Sequence, residues 1–281
     1  MTAVPVTQFG ARLDAALDRF GSLCVGIDPH SSILAEWGLT ADAEGLARFA
    51  DLCVEAFGGV VPIVKPQSAF FEVHGSAGIA VLERTVAAFR AAGTLVLLDV
   101  KRGDIGSTMG AYAQAYLDPA SPLAADAITV SPYLGVGSLD PAFTLAERHG
   151  AGVFVLALTS NPEGPQVQHA RAADGRLVAQ VVVDELAERN GLREPLGPFG
   201  AVVGATIGTA EAELDKLNGP FLVPGVGAQG GTAEDVRRIF GAATRAVLPS
   251  TSRGALAPGP DVTALRDNAR RQLAEFAFLR A

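Results

Sequence analysis

The segment Leu95-Val96-Leu97-Leu98-Asp99-Val100-Lys101-Arg102-Gly103-Asp104-Ile105-Gly106-Ser107-Thr108 is an apolar run that ends in alternating charges. Val96 to Leu98 are bulky and mostly branched, which reads as a strand buried on both faces, as in a parallel sheet covered by helices. Asp99 and Lys101 are two residues apart. If the strand continues to Lys101, their side chains leave on the same face, within reach of one another. Asp104 follows at a turn marked by Gly103. On this cluster alone two readings stand level: a structural ion pair at a strand end with Asp104 capping the next helix, or a functional site.

Working outward, eight short apolar runs recur along the chain, most of them ending in a small, polar or charged residue and followed by a helix-like segment. They are 23–27, 61–64, 95–98, 127–130, 153–158, 201–203, 221–223 and 246–248. Eight such units predict one (β/α)8 barrel over residues 1–281. The intervening periodicity agrees. Residues 43–57 repeat apolar positions at Leu46, Phe49, Ala50 and Val54, and 76–92 do so at Ile79, Leu82, Val86 and Phe89 before Gly93. Thr232 and Asp261 are N-cap candidates for two later helices. Residues 10–20, ahead of the first strand, predict a helix covering the bottom of the barrel. Residues 161–175, with Pro162, Gly164 and Pro165, read as one long irregular loop after strand 5.

In such barrels the site lies at the C-terminal ends of the strands. That rule places Asp28, Lys65, Asp99, Lys101, Asp104, Ser131, Thr159, Ser160, Gln229 and Arg253 around one mouth. Several lysines and aspartates converging there are unfavourable unless they neutralise each other or a ligand. This tips Lys65, Asp99 and Lys101 toward function. The glycine-rich run Pro224-Gly225-Val226-Gly227-Ala228-Gln229 follows strand 7, and Ser250-Thr251-Ser252-Arg253-Gly254 follows strand 8. These are the two loops that most often cradle a phosphate in this fold, with backbone N–H groups and a forked Arg253 contact.

Composition narrows the function further. A net charge of -8 without a basic stripe argues against nucleic acid as the main partner. The two cysteines, Cys24 and Cys53, have no metal-ligand spacing, and the four histidines are scattered, so a His/Cys metal site is not expected. No run approaches a membrane span, and the start lacks a basic region followed by an apolar one. The expectation is a soluble, cytoplasmic protein acting on a small phosphorylated molecule. With no metal site, cofactor fingerprint or activated nucleophile expected, its chemistry would rest on electrostatics and proton transfer.

Taken together, the Asp99-Val100-Lys101-Arg102-Gly103-Asp104-Ile105 motif with Thr108, the earlier Asp28 and Lys65, the loop from Pro224 to Gln229 and Arg253 resemble the orotidine 5′-phosphate decarboxylase family, in its longer-chain branch. The resemblance implies a homodimeric barrel without a cofactor that converts orotidine 5′-monophosphate to uridine 5′-monophosphate and carbon dioxide. It implies that Lys101 donates a proton to C6 of the pyrimidine, flanked by Lys65, Asp99 and Asp104. Asp104, Ile105 and Thr108 would reach into the neighbouring subunit's site. Asp28 and Lys65 would bind ribose hydroxyls, Ser160 the pyrimidine edge, and Gln229 and Arg253 the phosphate, with Pro224 in the same loop. Two rivals stand beside it: a Mg²⁺-dependent sugar-phosphate enzyme built on the same D-x-K-x-x-D spacing, and a nucleotide-binding barrel without chemistry.

Overall fold

The computed structural model describes residues 6–208, 211–227 and 230–280. Eight parallel strands, β1 (Cys24–Ile27), β2 (Ile63–Pro66), β3 (Leu95–Arg102), β4 (Ala127–Val130), β5 (Gly152–Leu158), β6 (Phe199–Val203), β7 (Phe221–Pro224) and β8 (Val247–Thr251), form a closed barrel. Each pairs with the next in sequence, and β8 returns to β1 with Cys24 opposite Ser250. The helices are α1 (Phe9–Phe20), α2 (Ser31–Glu36), α3 (Ala43–Phe57), α4 (Ala69–Glu72), α5 (Gly75–Ala91), α6 (Gly106–Leu117), α7 (Asp140–His149), α8 (Pro165–Gln168), α9 (Val178–Asn190), α10 (Ala233–Phe240), α11 (Arg253–Leu256) and α12 (Val262–Glu275). This is the (β/α)8 architecture that the eight apolar runs predict.

Local chemistry starts the helices where the sequence places them. Asp42 accepts hydrogen bonds from the Glu44 and Gly45 N–H groups at the head of α3, and Asp261 accepts from Ala264 N–H at the head of α12. Thr232 and Asp235 form a reciprocal capping box on α10. In α1, Phe9, Leu13 and Leu17 are spaced by four and therefore share one face. That face seals the bottom of the barrel, where the Phe9 ring meets Phe154 edge-on at 5.9 Å. Gly152 is obligatory beneath it, since a Cβ there would lie 2.4 Å from the Phe9 ring.

The period of two divides the core into two layers. Cys24, Ile63, Leu97, Ala127, Phe154, Val202, Leu222 and Leu248 point into the barrel, together with the α1 face. Val25, Val64, Leu98, Ile128, Val153 and Val155 point outward and pack under the helices. Both cysteines are free and buried, and burial pushes the Cys24 thiol up to about 12. It is an inert core residue at neutral pH. Among the described residues, no helix is long and apolar enough to cross a membrane.

Two features differ from the sequence expectation. Strands β2 and β3 run past their apolar segments, because Gly26 and Ile27 of β1 still pair with Lys65 and Pro66, and Val130 of β4 pairs with Arg102 beyond a bulge. Lys65, Asp99 and Lys101 are therefore strand residues; the directions of Lys65 and Asp99 follow from strand parity, and Lys101 reaches Asp99 from within the bulge. The segment after β5 is more ordered than an irregular loop. It contains α8 and a bridge from Arg171 to Leu177, and the Gln168 side chain bonds both the N–H and the hydroxyl of Thr159.

Candidate active site

Moving up the barrel interior by two residues on each strand turns the lining from apolar to polar. Ile63 is followed by Lys65, Leu97 by Asp99 and then Lys101, Ala127 by Thr129, and Leu248 by Ser250. The Asp99 carboxylate is the centre of this layer. Its Oδ2 accepts from Lys65 Nζ at 2.8 Å, and its Oδ1 accepts from Lys101 Nζ at 2.6 Å and from the Thr129 hydroxyl at 2.7 Å. Thr129 Oγ1 in turn accepts from the Lys101 backbone N–H at 3.0 Å. The result is an ordered Lys–Asp–Lys row across β2 and β3, fixed from β4.

Burial is the largest single influence on Asp99 and acts to raise its pKa, but the two ammonium groups outweigh it and hold the carboxyl well below its usual range. Burial likewise works against the charge on Lys65. The negative charges of Asp99 and Asp28 overcome it and hold Lys65 above the ordinary lysine value. Both groups are therefore ionised at neutral pH, and an incoming anion meets two cations around one fixed anion.

Lys101 also has a left-handed backbone, with φ of 46°. Such a conformation in a non-glycine residue costs on the order of 1–3 kcal/mol and persists only where surrounding structure imposes it. Here the imposing structure includes the β3 bulge, the Thr129 bond and the close approach of Gly103 to Ser131, whose carbonyl oxygen would lie 2.5 Å from a Cβ at position 103.

The row opens into a cavity of about 260 Å³ lined by Asp28, Lys65, Gln67, Asp99, Lys101, Thr129, Leu156, Thr159, Ser160, Val202, Leu222, Pro224, Gly225, Ser250 and Ser252. A second compartment of about 460 Å³ shares Asp28, Gln67, Gly225, Ser250 and Ser252 with it and continues to His30, Val226, Thr251 and Arg253. Where the two meet, Asp28 Oδ1 and Ser252 Oγ are buried without a hydrogen-bond partner among the described residues. Buried polar atoms are normally satisfied, so these two are available to a ligand that carries hydroxyl groups. The arrangement suits an elongated polar molecule, one end on the Lys–Asp–Lys row and the other beside Arg253 and the backbone at Gly225 and Val226.

The structure thus brings Asp28, Lys65, Asp99, Lys101, Ser160 and Pro224 together, with Arg253 in the adjoining compartment. Gln229 lies outside the described residues. Ser131 faces a different cavity. Thr159 is in the site, but its hydroxyl donates to Asn161 and accepts from Gln168, so Ser160 is the freer of the two. Asp104, Ile105 and Thr108 do not line the cavity of their own chain. Asp104 accepts from the Ile105 N–H, and Ile105 is 62 % exposed. Sequence reasoning missed Thr129 and Gln67, and took Ser250 and Ser252 only as part of the segment before Arg253. The parity of Ala127 and Leu97 would have found Thr129, since it stands two residues beyond an inward position just as Asp99 does. Arg102, to which the sequence assigns no role, pairs its guanidinium with Glu72 at 2.6 Å and with the Tyr116 hydroxyl at 3.2 Å.

Comparison with known proteins agrees with this geometry. Residues 21–267 match the family model described as orotidine 5′-phosphate decarboxylase / HUMPS family. A Salinispora arenicola protein named orotidine 5′-phosphate decarboxylase is 62 % identical over 268 residues, covering 95 % of this chain and 96 % of its own. A Nocardioides protein of the same name is 64 % identical over 258 residues, 90 % of this chain and 94 % of its own. Among solved structures, a Streptomyces avermitilis protein superposes with a TM-score of 0.96 at 58 % identity, covering 100 % of this chain and 99 % of its own. The matched residues carry the Lys–Asp–Lys row, the loop after β7 and Arg253 alike, and the chain belongs to the orotidine 5′-phosphate decarboxylase / HUMPS family.

Proposed function

We propose that this protein converts orotidine 5′-monophosphate to uridine 5′-monophosphate and carbon dioxide in pyrimidine biosynthesis, with the Lys65–Asp99–Lys101 row at the reacting end of the substrate. The observation that carries this reading is the Lys101 ammonium, held 2.6 Å from Asp99 at the cavity wall. Loss of carbon dioxide breaks the bond between C6 and its carboxylate and leaves the electron pair in an in-plane orbital that the ring does not delocalise. The barrier in water is accordingly very high. A fixed ammonium beside C6 becomes favourable mainly as that charge develops, so it lowers the transition state more than the ground state. An N–H proton of Lys101 then passes to C6, forming the C–H bond of the product, and the neutral amine regains a proton from solvent. Asp99 holds the ammonium in place.

The remaining contacts are those the family resemblance implies; the two compartments support those of Asp28, Lys65, Ser160, Pro224 and Arg253, and Gln229 lies outside the described residues. Asp28, with its unpartnered oxygen, and Lys65 take the ribose hydroxyls, Ser160 the pyrimidine edge, Pro224 the wall beside it, and Gln229 and Arg253 the phosphate. Phosphate binding far from C6 supplies energy for closing and ordering the site. A divalent cation at Asp99 is disfavoured physically, because each oxygen of that carboxylate already faces an ammonium. This favours the decarboxylase over the Mg²⁺-dependent rival. The working form in this reading is a homodimer in which Asp104, Ile105 and Thr108 complete the neighbour's site. It is supported by the absence of all three from the cavity of their own chain.

The direct test is the ultraviolet absorbance of orotidine 5′-monophosphate with the purified protein in excess EDTA. Rapid conversion to the spectrum of uridine 5′-monophosphate is expected. An unchanged spectrum with tight binding of uridine 5′-monophosphate would move the protein to a binding role, and turnover abolished by EDTA would move it to the metal-dependent class.

Arg253 provides a second expectation. Arg253→Ala should weaken binding of uridine 5′-monophosphate by about 10- to 100-fold, the value of one charge-assisted contact, and leave uridine binding within about twofold. Titration calorimetry with both ligands measures this. Equal losses for nucleotide and nucleoside would remove Arg253 from the phosphate site.

A further inference from the structure

Lys101 occupies a strained backbone conformation, and the residue that follows it is gripped from outside the barrel. Arg102 Nη2 donates to Glu72 Oε1 at 2.6 Å and to the Tyr116 hydroxyl at 3.2 Å, and Arg102 Nη1 donates to the Val100 carbonyl at 3.3 Å. Its guanidinium carbon lies 5.6 Å and 5.9 Å from the centres of the Tyr112 and Tyr116 rings. Glu72 is fixed in turn by the Ser68 hydroxyl at 2.5 Å, and Ser68 donates its backbone N–H to the Asp99 carbonyl at 3.2 Å. The connections close a ring: Asp99 backbone, Ser68, Glu72, Arg102. Val100 and Lys101 are the only residues between its two attachment points on β3.

We propose that Arg102 is a positioning residue for decarboxylation: with Glu72 and Ser68 it braces the β3 bulge from the outer face and so holds the Lys101 ammonium at the reacting carbon on the inner face. An exposed ion pair would not carry this argument, because such pairs contribute little. Arg102 is different in being held on several sides. Its side chain is 29 % exposed, and it joins α4 and α6 to the strand segment that holds the left-handed Lys101. The pairing of Glu72 first with a hydroxyl and then with the guanidinium keeps its carboxyl below the usual range, so the brace is charged throughout the neutral pH range. The ring also accounts for the Arg-Gly pair of the motif: Arg102 is drawn outward to Glu72, while Gly103 passes close against Ser131. A misplacement of a catalytic group by about 1 Å is enough to lose about 100-fold in rate, which is the scale on which a brace can matter.

The inference rests on Lys101 as the proton donor, and the test separates the two. Arg102→Met, Glu72→Gln, their combination and Arg102→Lys are prepared in the full chain. For each, kcat and KM for orotidine 5′-monophosphate are measured, together with the affinity and the number of uridine 5′-monophosphate sites per chain. Arg102→Met and Glu72→Gln are expected to lower kcat per binding site by about 10- to 100-fold with KM and product affinity within about threefold, since a transition-state contact is lost and ground-state binding is not. The double variant should fall no further than the worse single one, because both break one ring. Arg102→Lys should recover only part of the rate, lacking the planar fork. Unchanged kcat per site in both single variants overturns the brace, as does a loss that merely follows a drop in the number of binding sites. If Arg102→Met does not fold, Glu72→Gln decides alone, its carboxylate being partly exposed. Wild-type protein that fails to decarboxylate would instead overturn the function itself.

Discussion

Lys101→Ala is expected to leave a folded protein that binds uridine 5′-monophosphate normally and decarboxylates at least about 10⁴-fold more slowly. The magnitude follows from losing two effects at one atom, a general acid worth about 10²–10⁴ and a preorganised charge worth about 10²–10³ at the developing carbanion. Stability should change little, by about 1 kcal/mol. The Lys101 side chain is 44 % exposed, and after its removal the Asp99 carboxylate still accepts from Lys65 and Thr129. Asp99 itself is a poorer choice of target. Removing it would leave the buried Lys65 ammonium without its nearest partner, a loss of about 3–5 kcal/mol that confounds folding with catalysis. Single-turnover absorbance and calorimetry with the product would measure the Lys101 variant. Turnover within tenfold of wild type would remove Lys101 as the proton donor, and loss of product binding would make it a binding residue instead.

The alternation at Asp99 and Lys101 was legible in the sequence because strand geometry is local: with a period of two, the direction of one side chain fixes that of the next. The count of eight apolar runs, most of them followed by a helix-like segment, was enough for the barrel, and the segment ahead of the first run for α1 beneath it. Lys65 and Asp28 were legible as charges at the ends of apolar strands, where charge is unfavourable without a partner. Thr129 was not singled out, although its parity with Ala127 places it on the inward face, since a hydroxyl residue at a strand end is ordinary β chemistry. The left-handed backbone of Lys101 had no signal at all. It results from a bulge imposed by β4, and lysine carries no preference for that conformation. The role of Arg102 was not legible for a related reason. Its partner Glu72 lies 30 residues earlier, on a helix of four residues too short to show a period.

Mixing inactive Asp104→Ala subunits with inactive Lys101→Ala subunits is expected to restore activity to about a quarter of wild type at equal proportions, as closed twofold symmetry requires. In a heterodimer one site combines the intact Lys101 of one chain with the intact Asp104 of its partner, and the other site carries both replacements. Half of the sites in each heterodimer are therefore whole, and random exchange makes about half of the dimers mixed. The placement of the motif is what gives the experiment its force. Strand β3 aims Asp99 and Lys101 into the barrel, whereas the turn at Gly103 carries Asp104, Ile105 and Thr108 to the outside of the same chain, where Ile105 is left largely exposed. An exposed isoleucine beside a carboxylate, neither of them in the lining of its own chain's cavity, is the surface a second subunit's site would meet in the proposed dimer. Activity returning on mixing, in proportion to verified heterodimers, would establish that the site is shared. Verified heterodimers that stay inactive would confine each site to one chain and assign Asp104 a role in the turn alone.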